Sequence, residues 1–543
     1  MKYFLGSLLS FLISISALAQ NPGADYLSLG ELKLAEEFFM KRLRQSPAEA
    51  NYYLGEIAYQ KGNQAEAKAK YEQGLAGNPE SALSAIGLAK LELKSNPKVA
   101  EDKLKDILKK NKKDVTVILA IAKAYLDNGM KEKALEKLQD ARKADKKNPY
   151  IYIFEGDMLA KENKPGDAAM QYDQAINFDP NCVLAYMKGA RVYEYINRNT
   201  AADMLKKAVT INPEYRIAYK DLAQLYYRDG FYPEAIAAFK EFFKGGEFTV
   251  ELATYYAAAL YFTKQYDESK KVIADGLSKD ANSFVLNRLL MYNDNDLADY
   301  QGGLAAGDKF FSIPVTDTTM KYLPQDYMAY GKILNETGNK TKAIEQYEKA
   351  IKLDPSKIDL YKEIATSTAN EKLYPQAAEF YKKYIGLSGE KAEATDYYQL
   401  GRYYFSAGSA ALKDSTVAKE QAIQYFKEAD AAFAEVEKRV PDSHLGSYQR
   451  AQTNYQLDPE SEQGLAKPHY EETVKRILAK NEGDNNRILI EAYSYLSYYY
   501  YLQFDKTKNA DDKANVKQYA EKILELDPEN ATGKALLEFA NGK

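Results

Sequence analysis

Apolar residues recur along the chain at helical intervals of three and four, and the whole pattern returns about every 34 residues. The segment AIEQYEKAIKLDP at 343–355 returns as AKAKYEQGLAGNP at 67–79 and as AAMQYDQAINFDP at 168–180. In each copy an alanine, an aromatic residue four positions later and a small residue three positions after that share one helical face. A proline then follows the end of the helix. The pattern therefore predicts an amphipathic helix in each copy.

A second helical pattern precedes each of these segments, carrying pairs such as Leu54-Gly55 and Tyr330-Gly331. The glycines that mark the turns between the two helices are Gly62, Gly129, Gly230 and Gly338. A single helix pair buries only part of its apolar face, so neighbouring pairs must stack. The sequence therefore predicts a linear array of helix pairs.

These residues resemble the tetratricopeptide repeat (TPR), in which two antiparallel helices occupy 34 residues. The unit that begins at Pro324 carries most of the family pattern: Tyr327, Tyr330, Gly331, Leu334, Gly338, Ala343, Tyr347, Ala350 and Pro355. The chain departs from the family in using no Trp at the first bulky position. The resemblance implies an all-α, right-handed superhelical solenoid of about twelve antiparallel helix pairs.

Changes in the regularity of the repeats indicate how the chain is divided. We expect a signal peptide at 1–19, an N-terminal TPR array at 20–283, a degenerate repeat and connector at 284–323, and a C-terminal TPR array at 324–543. Insertions at 406–420 and 503–514 are expected in loops. Residues 531–540 are expected to form a closing helix.

The first twenty residues have the character of an export signal. Lys2 precedes an apolar stretch of about 15 residues, which is short against the roughly 20 needed to span a membrane. Ala17 and Ala19 form an A-x-A cleavage site, so Gln20 is the expected mature N-terminus. We expect an exported protein, with the periplasm as the first expectation and the cell surface or secretion left open. In its Tyr-, Lys- and Asn-rich composition and its export signal, the chain resembles TPR proteins of Gram-negative envelopes.

The composition restricts the chemistry that is open to the chain. Its 74 basic and 78 acidic side chains give a net charge of -4, which offers no basic surface for nucleic acid. One Cys cannot form an intramolecular disulfide, and two His without a ligand motif predict no metal site. No catalytic constellation stands out, so we expect no enzyme, no catalytic residues and no cofactor.

Tyrosine is the unusual component, with 47 Tyr in the chain. Tyr193, Tyr227 and Tyr261 recur at an interval of 34, and Tyr59 shares their repeat position. In the TPR family this position faces the concave groove, and Tyr52, Tyr186 and Tyr398 lie earlier on the same helix, also toward it. Tyr is enriched at binding sites. The same rings could instead pack between repeats, and the sequence leaves both placements open.

The resulting functional expectation is a non-catalytic scaffold of the cell envelope. It would bind a partner protein or peptide in the tyrosine-lined groove and be accessory to secretion or envelope assembly. A glycan-binding periplasmic or surface protein is one alternative, because Tyr faces also stack on sugars. An enzyme built on a helical solenoid is another. A second concentration of tyrosines at 493–501 surrounds one helix, so part of it should be exposed or covered by a partner.

Overall fold

The computed structural model describes residues 21–245, 247–318, 320–480 and 484–542. These residues form 29 α-helices and no strand, which confirms the all-α class. The first 28 helices form fourteen antiparallel pairs, compared with the expected twelve or so. The predicted cleavage site at Ala17, Ala19 and Gln20 lies outside the described residues.

Contacts divide the chain between Ala281 and Asn282 into two compact units. The helices of the first unit are α1 (Pro22–Ser28), α2 (Leu32–Arg42), α3 (Pro47–Gln60), α4 (Gln64–Gly77), α5 (Ala82–Glu92), α6 (Pro97–Lys110), α7 (Val115–Asp127), α8 (Lys131–Ala144), α9 (Pro149–Lys161), α10 (Pro165–Phe178), α11 (Val183–Tyr193), α12 (Arg198–Ile211), α13 (Arg216–Arg228), α14 (Tyr232–Phe243), α15 (Val250–Phe262) and α16 (Tyr266–Lys279).

The second unit contains the remaining helices. They are α17 (Phe284–Asp296), α18 (Tyr300–Ser312), α19 (Pro324–Glu336), α20 (Lys340–Leu353), α21 (Leu360–Asn370), α22 (Tyr374–Ser388), α23 (Ala394–Ala411), α24 (Lys419–Arg439), α25 (His444–Leu457), α26 (Lys467–Lys480), α27 (Asn486–Thr507), α28 (Ala510–Leu526) and α29 (Ala531–Ala540). The last of these is the expected closing helix, and its Phe539 ring lies 4.7 Å from that of Tyr501.

A glycine on the first helix of a pair packs directly beneath an aromatic ring on the second. A Cβ added at Gly55 would lie 2.4 Å from the ring of Tyr71, and one at Gly156 would lie 2.6 Å from that of Tyr172. Contacts under 3 Å require the ring or the backbone to move. The small residue therefore sets the close approach of the two helices, as the repeat pattern predicts.

The same contact in the second unit gives a prediction about stability. A Cβ at Gly401 would lie 2.5 Å from the buried ring of Phe433, so Gly401→Ala should overpack this pair and lower the free energy of unfolding by about 1–3 kcal/mol. Gly386 lies within α22, and no described atom is within 4 Å of its added Cβ. Gly386→Ala should therefore raise the stability by up to about 1 kcal/mol. Urea unfolding of both variants checks this, and equal losses would contradict it.

The turns inside the pairs use left-handed backbone geometry. The four glycines predicted to mark these turns, Gly62, Gly129, Gly230 and Gly338, have φ between 78° and 82°. Asn163 and Lys264 adopt φ of 59° and 60° at the corresponding turns of other pairs. Glycine carries no steric cost in this region, whereas other residues do. The turn geometry is thus maintained even where the glycine is missing.

Residues 284–323 differ from the expected degenerate repeat and connector. Their first part forms a regular helix pair, α17 and α18. The glycines in this segment permit close packing of helices, because a Cβ on Gly307 would lie 2.4 Å from the ring of Tyr330 in α19. The described residues that remain outside these helices are 313–318 and 320–323.

The two insertions also differ from expectation, since both lengthen helices. The helices that flank 406–420 contain 18 and 21 residues, compared with 13 and 14 in α19 and α20. α27 contains 22 residues and continues into the second insertion. The alanine-rich sequence before Leu412 favours helix, and Gly408 packs beneath the ring of Phe426.

Candidate protein-binding surface

Two of the predicted groove tyrosines are core residues. Tyr52 is buried, with its ring centroid 4.9 Å from that of Tyr53 and 6.1 Å from that of Tyr71. Burial raises the pKa of Tyr52 well above its ordinary value, so its hydroxyl stays protonated. Tyr186 is also buried. Of the two placements that the sequence leaves open, both rings take the core placement and fill space between helices.

Three further predicted tyrosines are half-buried and make specific contacts within the chain. The Lys90 ammonium lies 3.9 Å from the ring centroid of Tyr59. The Tyr193 hydroxyl donates a hydrogen bond of 2.7 Å to Asp173, and this bond together with burial raises its pKa to about 12. The Tyr398 ring lies 5.9 Å from that of Phe433. These rings lie apart from one another, each held by its own neighbours.

The last two, Tyr227 and Tyr261, belong to one continuous aromatic surface. It lies where α13 and α15 end and α14 and α16 begin. We call it the aromatic ledge, and its members are Tyr227, Tyr232, Tyr255, Tyr261, Phe262 and Tyr266. Successive ring centroids are 4.8 to 5.7 Å apart, within the range of favourable aromatic pairs.

The ledge faces solvent to an unusual extent for aromatic residues. Phe262 is 51% exposed, and the ledge tyrosines are half-buried; Phe231, which precedes Tyr232 in the sequence, is also 51% exposed. Burial raises the pKa of Tyr227, with further contributions from the Tyr232 and Tyr255 hydroxyls, so the ring stays neutral. Contiguous exposed apolar surface of this kind is typical of interaction sites.

Sequence reasoning missed a buried charged network on α3, α5 and α7. The Lys90 Nζ lies 2.6 Å from Glu56 Oε1 and 3.7 Å from Asp127 Oδ2. Tyr71 donates a hydrogen bond of 2.7 Å to Glu56, and Lys123 lies 2.7 Å from Asp127. The available signal was the interval of 34 between Glu56 and Lys90, opposite charges at one repeat position.

A cavity of about 250 Å³ lies between α11 and α13. The charged and polar residues that line it are Arg191, Glu194, Lys220, Asp221, Gln224 and Arg228. Within the cavity Arg191 pairs with Asp221 at 2.9 Å, and Arg228 pairs with Glu194 at 2.6 Å. Lys220 pairs with Glu31, which comes from the distant turn between α1 and α2. The sequence alone did not indicate this contact.

The remaining candidate chemistry is structural in character. Burial raises the pKa of the Cys182 thiol to about 12, which leaves it protonated. Burial lowers the pKa of both His444 and His469, so both are neutral imidazoles at pH 7. No group of three or more metal-binding side chains is present among the described residues.

The tyrosines at 493–501 divide between core and surface. Tyr493 and Tyr495 are buried, whereas Tyr498 is exposed and stacks on Tyr501 with ring centroids 6.2 Å apart. The Lys467 ammonium lies 5.5 Å from the ring centroid of Tyr500. Most of this aromatic surface is therefore covered by the chain itself.

Among the residues that the structure describes, none of the helices combines the length and apolar character that crossing a membrane requires.

Two family models match the sequence. One, described as "Tetratricopeptide repeat", covers residues 119–181, and the other, described as "TPR repeat", covers residues 331–366. The chain contains tetratricopeptide repeats in these two segments. Each of the two units contains one of the matched segments, and the TPR helix pairs described above continue on both sides of each. TPR repeats imply a protein partner.

The comparisons with individual proteins extend over parts of the TPR array. The protein O-mannosyl-transferase TMTC1 of Homo sapiens is 24% identical over 212 residues, which are 38% of this chain and 24% of that protein. The TPR repeat-containing protein YpiA of Bacillus subtilis (strain 168) is 24% identical over 165 residues, 30% of this chain and 38% of that protein. The chain thus spans well under half the length of both relatives.

A solved structure, the C-terminal part of a TPR repeat-containing protein from Cytophaga hutchinsonii, is 27% identical. It covers 52% of this chain and 99% of its own, with a TM-score of 0.35.

Proposed function

We propose that this protein is a non-catalytic scaffold of the cell envelope that binds a partner protein across the aromatic ledge. The observation that carries the proposal is the exposure of Phe262 within a continuous aromatic surface, with the equally exposed Phe231 next to Tyr232 in the sequence. Large rigid rings gain much apolar contact at a small cost in conformational entropy, which is why they are enriched among the residues that dominate binding energy. Export is supported by the A-x-A motif at Ala17–Ala19.

The ledge fits an apolar segment of a partner better than a small polar ligand. Most of its rings lie at the turns within the pairs α13–α14 and α15–α16, so the surface draws on two neighbouring repeats. Tyr hydroxyls at its edge can donate to or accept from a partner's backbone while the ring faces stay apolar. The predicted roles of Tyr227 and Tyr261 belong to this proposal, and those of Tyr59, Tyr193 and Tyr398 stay predictions.

The test is a double variant, Phe231→Ser/Phe262→Ser, in the full chain. Both side chains are half-exposed, so the fold should be retained while partner binding weakens at least about tenfold. Cross-linking in the native envelope followed by mass spectrometry identifies the captured protein, and titration with that protein measures the affinity.

The matched control is Met170→Ser on α10, a position that is 61% exposed and away from the ledge. It should leave capture unchanged. Equal capture by the double variant and the wild type would overturn the ledge as the binding surface. Protection of the ledge tyrosines from chemical modification by saccharide, without any captured protein, would favour the glycan-binding alternative.

A further inference from the structure

The first described helix, α1, and the turn after it contact residues that are far away in sequence. We call residues 22–31 the N-terminal segment. Its hydrogen bonds to α11 and α13 join positions separated by 160 to 189 residues, all within the first unit. Such contacts are unlike the stacking of adjacent repeats, in which each pair contacts its neighbours in sequence.

Three cations hold the end of the segment. The Lys188 ammonium donates to the Ser28 carbonyl oxygen at 2.6 Å, and an Arg191 guanidinium nitrogen donates to the Leu29 carbonyl oxygen at 2.7 Å. Lys220 pairs with the Glu31 carboxylate, and Arg191 also lies 3.5 Å from it. Carbonyl groups at a helix C-terminus carry partial negative charge, so all of these contacts are attractive.

An aromatic and an acidic residue anchor the beginning of the segment. The Tyr26 ring centroid lies 5.5 Å from that of the buried Tyr215. Asp25 is buried beside Lys188 and Tyr215, and burial raises its pKa to about 7 although Lys188 acts in the opposite direction. No described residue forms a hydrogen bond with the buried Tyr215 hydroxyl. The contact therefore leaves one buried polar group unsatisfied among the described residues.

The segment is also poorly able to hold its shape alone. α1 contains seven residues, and isolated helices shorter than about 12–15 residues are marginal in water. Leu27 attaches it to the apolar cluster of Phe39 and Leu54, so α1 and α2 pack together as the first helix pair among the described residues. Locally marginal elements open at lower free energies than the middle of a fold.

We propose that the face formed by α9, α11 and α13 is a receptor site for an acidic, aromatic helix–turn segment of a partner protein, and that the N-terminal segment occupies this site in cis. The partner's carboxylate would pair with Lys220 and Arg191, its ring would lie against Tyr215, and its carbonyl groups would accept from Lys188. Lys220 and Arg191 also line the cavity between α11 and α13. Binding in trans requires displacement of the N-terminal segment, so cis occupancy sets the apparent affinity.

The probe for this proposal is a fluorescein-labelled peptide with the sequence of residues 21–33. Fluorescence anisotropy measures its binding to the full chain. The wild type should bind it weakly because the site is filled, whereas Glu31→Lys should loosen the cis segment and bind it at least about tenfold more tightly. Hydrogen exchange over residues 22–31 should rise in the same variant, which reports the loosening directly.

A charge exchange identifies the residues that carry the contact. Lys220→Glu should bind a peptide with Lys in place of Glu31 in preference to the native peptide, and Glu31→Lys/Lys220→Glu should regain cis protection. Lys33→Glu is the matched control, because Lys33 lies two positions later, in the first turn of α2, and pairs with Glu247 at the exposed surface. It should change neither measurement.

Two outcomes would overturn the proposal. One is a Glu31→Lys chain that remains folded by circular dichroism but binds the peptide no better than the wild type. The other is unchanged exchange of residues 22–31 in that variant, which would make Glu31 irrelevant to docking. Neither measurement involves the aromatic ledge or a captured protein, so failure here leaves the proposed function standing.

Discussion

Replacing Lys90 by methionine is expected to lower the free energy of unfolding of the first unit by about 3–5 kcal/mol. The Lys90 side chain is 2% exposed, and its ammonium is 2.6 Å from the equally buried Glu56 carboxylate. Removing one partner leaves the other charge buried without compensation. Lys123 also acts on Glu56 but pairs directly with Asp127. It therefore replaces only part of the lost attraction.

Urea unfolding at pH 7, followed by circular dichroism, measures the effect. Lys103→Met is the matched control, because Lys103 lies 2.6 Å from Glu92 in a pair that is open to solvent, and its loss should cost under about 1 kcal/mol. The double variant Lys90→Met/Glu56→Leu should recover much of the stability, since no buried charge is left at either position. A loss below about 1 kcal/mol in Lys90→Met would refute this account of the network.

The same network gives the first unit a dependence on acid. Burial acts to raise the pKa of Glu56, but the charges of Lys90 and Lys123 outweigh it, so the pKa is lowered. A carboxyl with a lowered folded-state pKa contributes its stability at neutral pH and loses it as the pH falls through that pKa. In Lys90→Met the main charge that lowers the pKa of Glu56 is gone, so this pKa should rise. The variant should therefore lose less stability than the wild type as the pH falls.

The fold could be predicted from the sequence because the contacts that determine it are local and recur from one repeat to the next. The close approach of Gly55 and Tyr71 involves residues 16 positions apart, and the same pair of residue types returns at Gly156 and Tyr172. Periodicity then identifies each helix and each turn. It was less informative at 284–323, where it indicated a degenerate repeat and connector, whereas Gly303 and Gly307 support helix packing.

The candidate surfaces were harder to predict from the sequence. Successive residues of a helix are rotated by about 100°, so a small difference in position decides whether a side chain faces the core or the solvent. Tyr52 and Tyr186 fall on the core side of that division, and Tyr227 and Tyr261 fall on the solvent side. The docking of Glu31 on Lys220 has no periodic signature at all. This contact depends on how the intervening repeats stack, because their stacking decides which distant helix lies next to residues 22–31. A single repeat does not encode it.

Raising the pH from 4 to 8 is expected to loosen the N-terminal segment, because Asp25 titrates in that interval. Burial raises its pKa from 3.8 to about 7, with Lys188 acting in the opposite direction. A carboxyl with a raised folded-state pKa stabilises the docked state fully below pH 3.8, and this contribution is lost as the pH rises through about 7. The rise in the pKa of Asp25 from 3.8 to about 7 corresponds to about 4 kcal/mol of stability of the docked state. Tyr150, Cys182 and Tyr215 around it have raised pKa values and stay protonated throughout.

Hydrogen exchange of residues 22–31 at pH 5 and pH 8, corrected for the intrinsic rate, measures this loosening. Asp25→Asn should remove most of the difference and protect the segment at pH 8, since an amide has no charge to bury. Asp102→Asn on the exposed face of α6 should behave as the wild type does. Equal protection of the wild-type segment at both pH values would mean that the Asp25 carboxylate is compensated in the docked state. The burial of that single group would then exert no control over whether the α9, α11 and α13 face is open.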